Sequence, residues 1–374
     1  MVTYPSDWEF RNVGEICHIS TGTGDTKDAV PNGLFTFFVR SKKVERINDF
    51  EFEGEAVLTA GDGVGTGKVF HYVDGRFKAH QRVYVLNNFQ NFDARFFYYY
   101  FSSAFLDEVE KYTAKSSVDS VRRPMIANMR IPRPRLPEQR AIAEVLSVFD
   151  EHLANLDELI TKKKAIRDGA LEGLMSRDLR LDGYNMPWAV RSLDEIAHSR
   201  RESSTGDPMD MDVELENLLP CEGQVVGDTS VRTAASFIFH PGDVLFGRLR
   251  PYLKKYWLAT CSGLRSGEIW ALAAKDGVDP RFLFHLVRTQ RFLDAAGKTM
   301  GTKMPRADWS LLKTESFEVP EVDEQRAIAE VLSGMDDEIR LLAEERAKAE
   351  RLKLGAIDDL LTGRVRLTLG KEAA

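Results

Sequence analysis

The chain contains 374 residues, of which 43% are hydrophobic and 29% charged, a balance typical of a globular protein with more than one core. It has no apolar run of about 18 residues and no signal-peptide pattern at its start, which argues against a membrane or secreted protein and predicts a cytoplasmic one. Only three cysteines occur, without metal-ligand spacing, so neither a disulfide framework nor a zinc site is expected.

The formal net charge of −7 is unevenly distributed. The whole acid excess lies in residues 136–182 and 321–374, and the rest of the chain is neutral overall. Seven basic residues and one acid occur in residues 111–135, and five basic residues and no acid occur in residues 246–265. These clusters favour a partner that carries phosphates, although any single basic residue is more often an ordinary solvated one.

Both neutral regions contain short β-rich stretches separated by turns and followed by an aromatic amphipathic helix, which predicts two α+β domains. In the first region the predicted elements are strands at residues 34–39, 56–59 and 82–86 and a helix at 95–112. In the second they are strands at 244–246 and 268–272 and a helix at 281–296.

A glycine-rich stretch, Gly61–Lys68, could suggest a phosphate-binding loop. However, Lys68 is followed by Val69 instead of Ser or Thr, and the glycine spacing fits neither nucleotide-binding motif. A tight hairpin with glycines at positive φ is the better interpretation. Such a loop could still bring Lys68 close to a DNA backbone.

The ten residues Glu138–Ser147 (EQRAIAEVLS) recur unchanged at Glu324–Ser333, 186 positions later. A period of this length indicates two duplicated domains. Each copy opens a segment whose apolar residues alternate by four and three positions, which is the heptad pattern of a coiled coil. The predicted seam and partner surface consists of Ile142, Leu146, Phe149, Leu153, Leu156, Ile328, Leu332, Met335, Ile339 and Leu342.

The second seam weakens at Arg346 and is predicted to resume at Leu352, Ala356 and Leu360. A single long helix cannot bury such a seam alone, so we expect the two helices to pair with each other. The alternatives are that each seam packs on its own globular domain or on another subunit.

No arrangement of residues that would support catalysis is recognisable. The seven histidines are scattered, and no HExxH, GxSxG or S-adenosylmethionine-binding glycine motif occurs. We therefore expect a chain that is not catalytic by itself and holds no metal or cofactor.

Basic residues mixed with serine, threonine and aromatic residues are the positive evidence for DNA binding, because arginine and lysine neutralise phosphates and can read base edges. The candidate DNA-binding residues are Arg40, Lys42, Lys43, Lys68, Lys115, Ser116, Arg122, Arg123, Arg248, Arg250, Lys254, Lys255, Lys303 and Arg306.

The duplicated Leu136–Ile142 (LPEQRAI) and Asp323–Ile328 (DEQRAI), each opening a long heptad helix, resemble the specificity (S) subunit of type I restriction-modification systems. The endings Leu174–Ser176 and Leu360–Arg364 resemble it too, and the likeness extends over essentially the whole chain. It implies target-recognition domains at 1–136 and 183–322 and conserved helices at 137–182 and 323–374, which form an antiparallel coiled coil.

In that family each recognition domain reads one half of a bipartite DNA site. The resemblance implies that the helices set the spacing and dock two modification (methyltransferase) subunits. It also implies S-adenosylmethionine on those subunits, and ATP and magnesium on restriction subunits where these are recruited. The alternatives are a stand-alone DNA-modifying enzyme with degenerate motifs and a coiled-coil scaffold without a nucleic-acid role.

Overall fold

The computed structural model describes residues 3–63, 65–112, 120–204, 209–230, 237–298 and 304–368. The chain divides into two compact units, which are described separately. Unit 1 contains Met1–Asp157 with Glu345–Ala374, and unit 2 contains Glu158–Glu344. None of the helices within these described ranges is long and apolar enough to cross a membrane.

The first half of the chain contains strands β1 (Glu9–Asn12), β2 (His18–Thr21), β3 (Phe35–Phe38), β4 (Val44–Ile47), β5 (Phe52–Glu53), β6 (Ala56–Ala60), β7 (Phe70–Val73), β8 (Arg76–Ala79), β9 (Val83–Asn87) and β10 (Arg130–Arg133). Its helices are α1 (Val13–Ile16), α2 (Ala94–Glu110), α3 (Arg123–Ala127) and α4 (Leu136–Ser176).

The second half contains strands β11 (Ala189–Ser192), β12 (Ala197–Ser199), β13 (Asp212–Val213), β14 (Phe237–Phe239), β15 (Val244–Gly247), β16 (Tyr256–Leu258), β17 (Gly263–Arg265), β18 (Ile269–Ala274) and β19 (Ser316–Val319). Its helices are α5 (Leu193–Ile196), α6 (Pro280–Leu286), α7 (Gln290–Gly297), α8 (Trp309–Leu312) and α9 (Val322–Leu361).

The two units share one sheet plan. Unit 1 has an antiparallel sheet of order β2-β9-β6-β7, a sheet of order β4-β3-β8-β5 and the pair β1-β10. Unit 2 repeats it with β12-β18-β15-β16, β13-β17-β14 and β11-β19. Each second sheet contains one parallel pair, β3 with β8 and β13 with β17. The predicted α+β class with two sheet-rich domains and two long helices is confirmed.

The predicted aromatic helix of the first region is confirmed as α2, but its counterpart at 281–296 is wrong as a single helix. Helix α6 ends at Leu286, and a separate helix, α7, begins at Gln290. Thr289 caps α7, accepting from the Phe292 N–H at 3.2 Å. The break turns Arg288 inward, where it is only 6% exposed.

The core of unit 1 lies between its β-sheet, α2 and the long helices. Phe97, Phe101 and Phe105 stack along the buried face of α2, with ring centroids 5.2 and 4.4 Å apart. Ile142 and Leu146 of α4 and Leu360 of α9 belong to the same cluster. In unit 2, Phe282 of α6 shares a cluster with Ile328 and Leu332 of α9 and with Leu171 and Leu174 of α4.

Two of the interpretations of the seam, pairing of the two helices and packing on their own domains, are therefore both correct in part. The first turns of each long helix pack on the sheet-rich domain of their own repeat, and the last turns of the other helix complete the same core. Within each unit the two helix segments run antiparallel, because rising residue numbers in α4 meet falling numbers in α9. Asp150 binds Lys353 and Asp157 binds Arg346 in unit 1, whereas Lys163 binds Glu338 in unit 2.

The seam prediction beyond Arg346 is wrong at Leu352, which is 54% exposed. The heptad steps continue through Ala349 and Lys353 instead, and the Lys353 ammonium binds Asp150 of α4. Arg167, which lies 186 positions before Lys353, occupies the same seam position in α4. It is 8% exposed and binds Asp336 of α9. A pattern built from apolar residues alone misses seam positions that are held by ion pairs.

The half-buried carboxylate of Asp336 is the centre of a polar cluster in unit 2 whose other members are buried. Arg288 binds both of its oxygens, at 2.5 and 3.0 Å, and Arg167 binds one of them. Burial opposes ionisation of Asp336, but the hydrogen bond and charge of Arg288 and the charge of Arg167 outweigh it and lower its pKa below 3.8. His285, whose pKa burial lowers to about 3, is neutral and accepts from Arg288 at 3.1 Å.

We expect Asp336→Asn to lower the free energy of unfolding by about 3–5 kcal/mol, because it leaves two largely buried guanidinium groups without their shared anion. Urea unfolding of the purified chain measures this change. Asp337→Asn is the matched control, since Asp337 is the next residue on α9 but is 68% exposed and pairs with the exposed Arg340. Equal effects of the two substitutions would show that the Asp336 cluster does not stabilise unit 2.

The Asp336 effect also depends on pH. A carboxyl whose folded pKa is depressed stabilises the protein above its unfolded pKa, and this stabilisation is lost as the pH falls through the folded pKa. The difference between wild type and Asp336→Asn is therefore largest near neutrality and decreases below about pH 4.

Candidate nucleic-acid interface

A buried glutamine joins each sheet-rich domain to its long helix. Gln139, fully buried in the first turn of α4, accepts from the Asp93 N–H at 2.8 Å and donates to the Pro134 carbonyl at 2.9 Å. Asp93 in turn caps α2, since its carboxylate accepts from the N–H groups of Arg95 and Phe96. The orientation of α2 is thus tied to the first turn of α4.

Gln325 makes the same connection in unit 2. It is 1% exposed, accepts from the Asp279 N–H at 2.9 Å and donates to the Pro320 and Gly277 carbonyls at 2.8 and 3.0 Å. Asp279 caps α6 as Asp93 caps α2.

The glutamate before each glutamine is also buried and paired. Glu138 binds Arg366 through two hydrogen bonds of 2.5 and 2.9 Å, and Glu324 binds Arg180 through two of 3.0 Å. Each arginine lies just after the end of a long helix, so the pair ties the start of one helix to the segment that follows the other. The repeated decapeptide identified Glu138 and Glu324 as equivalent residues, but it did not identify the arginines that they bind.

Three basic candidates, Arg40, Lys68 and Arg122, lie on or beside the segments that meet at one backbone junction in unit 1, where β6 ends. The Gly61 N–H donates to the Arg82 carbonyl at 2.8 Å, and the Gly61 carbonyl accepts from the Val121 N–H at 2.7 Å. An isolated bridge pairs Asp62 with Ser120. This brings the glycine loop, the start of β9 and the segment before α3 to one edge.

Unit 2 contains the same junction at the end of β15. The Arg248 N–H donates to the Glu268 carbonyl at 2.9 Å, and the Arg248 carbonyl accepts from the Ala307 N–H at 2.8 Å. Leu249 bridges to Arg306 as Asp62 bridges to Ser120. By these hydrogen bonds Gly61 corresponds to Arg248 and Arg82 to Glu268.

At the unit 1 junction two arginines flank one acid. The Asp62 carboxylate binds Arg40 at 2.8 Å and Arg82 at 2.5 Å, with each arginine on a separate oxygen. These two hydrogen bonds lower the Asp62 pKa, although burial acts against them. Lys68 is exposed on the same loop, and Arg122 is exposed one residue beyond Val121. The glycine loop joins the antiparallel strands β6 and β7, as a hairpin requires, and Gly63 and Gly67 have φ of 79° and 67°. The connection spans residues 61–69, however, so it is longer than the tight hairpin that was predicted.

The unit 2 junction also contains two arginines and one acid, but they occupy different positions of the repeat. Arg306 forms three hydrogen bonds of 2.9–3.1 Å with the Glu268 carboxylate. That contact, with the charge of Arg248, lowers the Glu268 pKa. The Arg248 guanidinium also lies over the Trp270 ring, 5.5 Å from its centroid. Arg250 is exposed beside the junction, and its N–H donates to the Pro305 carbonyl.

The other candidates have varied surroundings. Lys42 and Lys43 are exposed between β3 and β4, where Lys43 binds Glu45 at 2.9 Å. Lys254 is half-buried at φ 52°, and the Lys255 ammonium is held at the Leu215 carbonyl. Arg123 is exposed in the first turn of α3. Lys115, Ser116 and Lys303 lie outside the described residues.

Sequence reasoning missed Arg82, Asp62 and Glu268. Arg82 has no basic neighbour in sequence, and acids do not count as evidence in a search for positive clusters. Alignment of the two repeats through their strands was the signal that could have found them. No group of three His, Cys, Asp or Glu side chains among the described residues could hold a metal ion.

Comparisons with known proteins agree with this organisation. Residues 5–165 match the family model described as the type I restriction modification DNA specificity domain. The specificity subunit of the Escherichia coli type I restriction enzyme EcoDI is 25% identical, over 87% of this chain and 80% of its own length. The chain is thus similar to specificity subunits of type I restriction-modification systems.

Two further specificity subunits match almost the whole chain. The specificity subunit of the Methanocaldococcus jannaschii enzyme MjaVIII is 23% identical over 97% of this chain and 94% of its own. The crystal structure of a type I specificity subunit from Mycoplasma genitalium superposes with a TM-score of 0.63 at 18% identity, covering 97% of each chain. A structure from work on assembly of the type I system gives a TM-score of 0.56 at 16% identity, covering 97% of this chain. These two structures show a shared fold.

We expect Gln139→Ala to lower the free energy of unfolding by about 1–3 kcal/mol, because the Asp93 N–H and the Pro134 carbonyl would lose their buried partner. Gln325→Ala has the same expected effect in unit 2. Arg140→Ala serves as control, since Arg140 is the exposed neighbour of Gln139. Chemical denaturation is the measurement, and a Gln139 variant as stable as the Arg140 variant would contradict the proposed link.

Proposed function

We propose that the chain is the DNA-sequence-specificity subunit of a type I restriction-modification complex, in which each sheet-rich domain reads one half of a bipartite DNA site. The observation that carries this proposal is the junction built twice on the same backbone hydrogen bonds with different side chains. Two recognition domains on one scaffold suit a DNA site that is split into two different halves. The arginine, carboxylate and aromatic groups at each junction can contact base edges and phosphates.

The two long helices serve as the spacer and as the docking surface for two modification subunits. Several large apolar side chains on them are exposed, which is a common property of interfaces when such residues form a patch. Two of them occupy equivalent positions of the repeat, 186 residues apart: Ile166 on α4 is 50% exposed, and Leu352 on α9 is 54% exposed. Matched exposed positions, one in each unit, suit two copies of the same partner.

The chain itself contributes recognition and assembly, and the chemistry belongs to its partners. S-adenosylmethionine is assigned to the modification subunits. ATP and magnesium are assigned to restriction subunits where the system has them. In this assignment the ordered ion pairs at the two junctions serve to bind DNA.

Docking at the matched positions makes a stoichiometric prediction. Ile166→Glu and Leu352→Glu each remove one modification subunit from the complex, and the double variant removes both, because a buried unpaired carboxylate opposes association. Native mass measurement of the reconstituted complex counts the subunits. Leu354→Glu is the control: Leu354 is 61% exposed, and its repeat mate is already the acid Asp168. Full complexes from all the variants would exclude these positions from the interface.

DNA contact at the first junction makes an electrostatic prediction. Arg122→Ala with Arg123→Ala weakens binding of the reconstituted complex to DNA and lowers the slope of log affinity against log salt by about 0.9 for each phosphate that these arginines neutralise. Titrations at several salt concentrations measure the slope. An unchanged slope would show that these arginines do not face DNA.

Methylation mapping of DNA exposed to the complex tests the proposed function directly. The expected result is methylation within a bipartite motif with a fixed gap. A complex that assembles but neither binds nor directs methylation of any DNA would favour the scaffold alternative, and methylation by the isolated chain would favour an enzyme.

A further inference from the structure

The matched junction of each unit contains one carboxylate and two arginines, of which both bind the carboxylate in unit 1 and one binds it in unit 2. In unit 1 the acid is Asp62, 21% exposed, and its arginines Arg40 and Arg82 are 42% and 59% exposed. In unit 2 the acid is Glu268, which binds Arg306 and lies in the field of Arg248. Asp62 is clearly less exposed than the two arginines that bind it, whereas Glu268 is 36% exposed and the one arginine that binds it, Arg306, is 43% exposed.

The two arginines and one acid of unit 2 do not occupy the positions that correspond to those of unit 1. The backbone position occupied by Arg82 in unit 1 carries Glu268 in unit 2, so the charge at this position is inverted. Arg40 and Asp62 come from the end of β3 and the glycine loop, whereas Arg248 and Arg306 come from the end of β15 and the segment before α8. Two arginines and one acid are thus assembled at one place from different positions.

Stability does not explain this arrangement well, because exposed ion pairs contribute only about 0–1 kcal/mol. The arrangement has a clear consequence for DNA recognition. A phosphate must compete with the carboxylate for the arginines, and the carboxylate repels it. The edge of a guanine offers neutral acceptors that an arginine can bind while it keeps its carboxylate partner, and a carboxylate can itself accept from the amino group of cytosine.

We propose that Asp62 and Glu268 are specificity-determining residues, which hold the arginines that they bind for contact with base edges and suppress binding to DNA of unrelated sequence. The idea rests on the proposed function, because it assumes that these junctions face DNA. Each acid offsets one of two positive charges, so its removal increases the attraction to any duplex.

The test uses the complex reconstituted with its modification subunits and two DNA duplexes, one carrying the mapped motif and one of unrelated sequence. Asp62→Asn keeps the shape of the side chain and removes its charge. The expected result is a salt slope for unrelated DNA that is steeper by about 0.9, so that affinity falls about threefold more between 50 and 200 mM salt. The ratio of specific to unrelated affinity decreases, and methylation becomes less selective only in the half-site of unit 1.

Glu268→Gln is expected to relax the other half-site only. Asp62→Glu keeps the charge and should retain most of the selectivity. Glu53→Gln is the charge-matched control: Glu53 is an exposed acid of unit 1 that pairs with Arg76 on the neighbouring strand β8. Thermal melting of each variant verifies that it is folded.

Two outcomes would overturn the proposal: Asp62→Asn behaves like Glu53→Gln, or it loses specific affinity while binding to unrelated DNA stays unchanged. The second would make the acid a direct contact without a restraining role. Failure of the proposed function looks different, because the wild-type complex would then show no preference between the two duplexes.

Discussion

The buried glutamine at the start of each long helix is the contact on which the organisation of each unit depends. Gln139 and Gln325 hydrogen-bond both to the proline approach of their own helix and to the residue that caps the aromatic helix of the sheet-rich domain. A buried amide with directional partners fixes orientation better than apolar contact, because leaving either partner unsatisfied costs free energy. This explains why the decapeptide is identical in the two halves while the surrounding domains differ.

Polar contacts also determine how the helix segments pair within each unit. Apolar residues fill the ends of the seam, where a helix packs on its own domain, whereas Lys353 and Arg167 continue the seam by binding acids of the facing helix. An apolar seam alone permits several registers, and charged pairs at defined positions favour one. Arg346, which interrupts the apolar pattern, binds Asp157 at 2.7 Å and so belongs to the pairing.

Much of this organisation could be predicted from the sequence. The duplication, the long helices and five of the strands follow from periodicity and an exact repeat, which are local properties. The break after Leu286 could not be predicted, because the Arg288 that it turns inward binds a half-buried acid 48 residues away. The candidate site was predicted as basic clusters, but Arg82, Asp62 and Glu268 reach their partners only through strand pairing. Leu352 was misplaced because a charged residue holds the seam position beside it.

The two halves differ in a way that the fold itself permits. At each junction the backbone hydrogen bonds between three segments are the same, so the edge keeps its shape whatever side chains it carries. The ion-paired side chains at these edges are largely solvent-exposed and contribute little to the core, and the corresponding positions even exchange acid for base between the halves. Residues that hold the domains on the helices cannot vary in this way, because they are buried and each has at least two partners. The buried contacts that attach each sheet-rich domain to the long helices are thus separate from the exposed side chains at its junction. One scaffold can therefore carry two domains that recognise different sequences, and changing the junction of one domain leaves the attachment of the other unaffected.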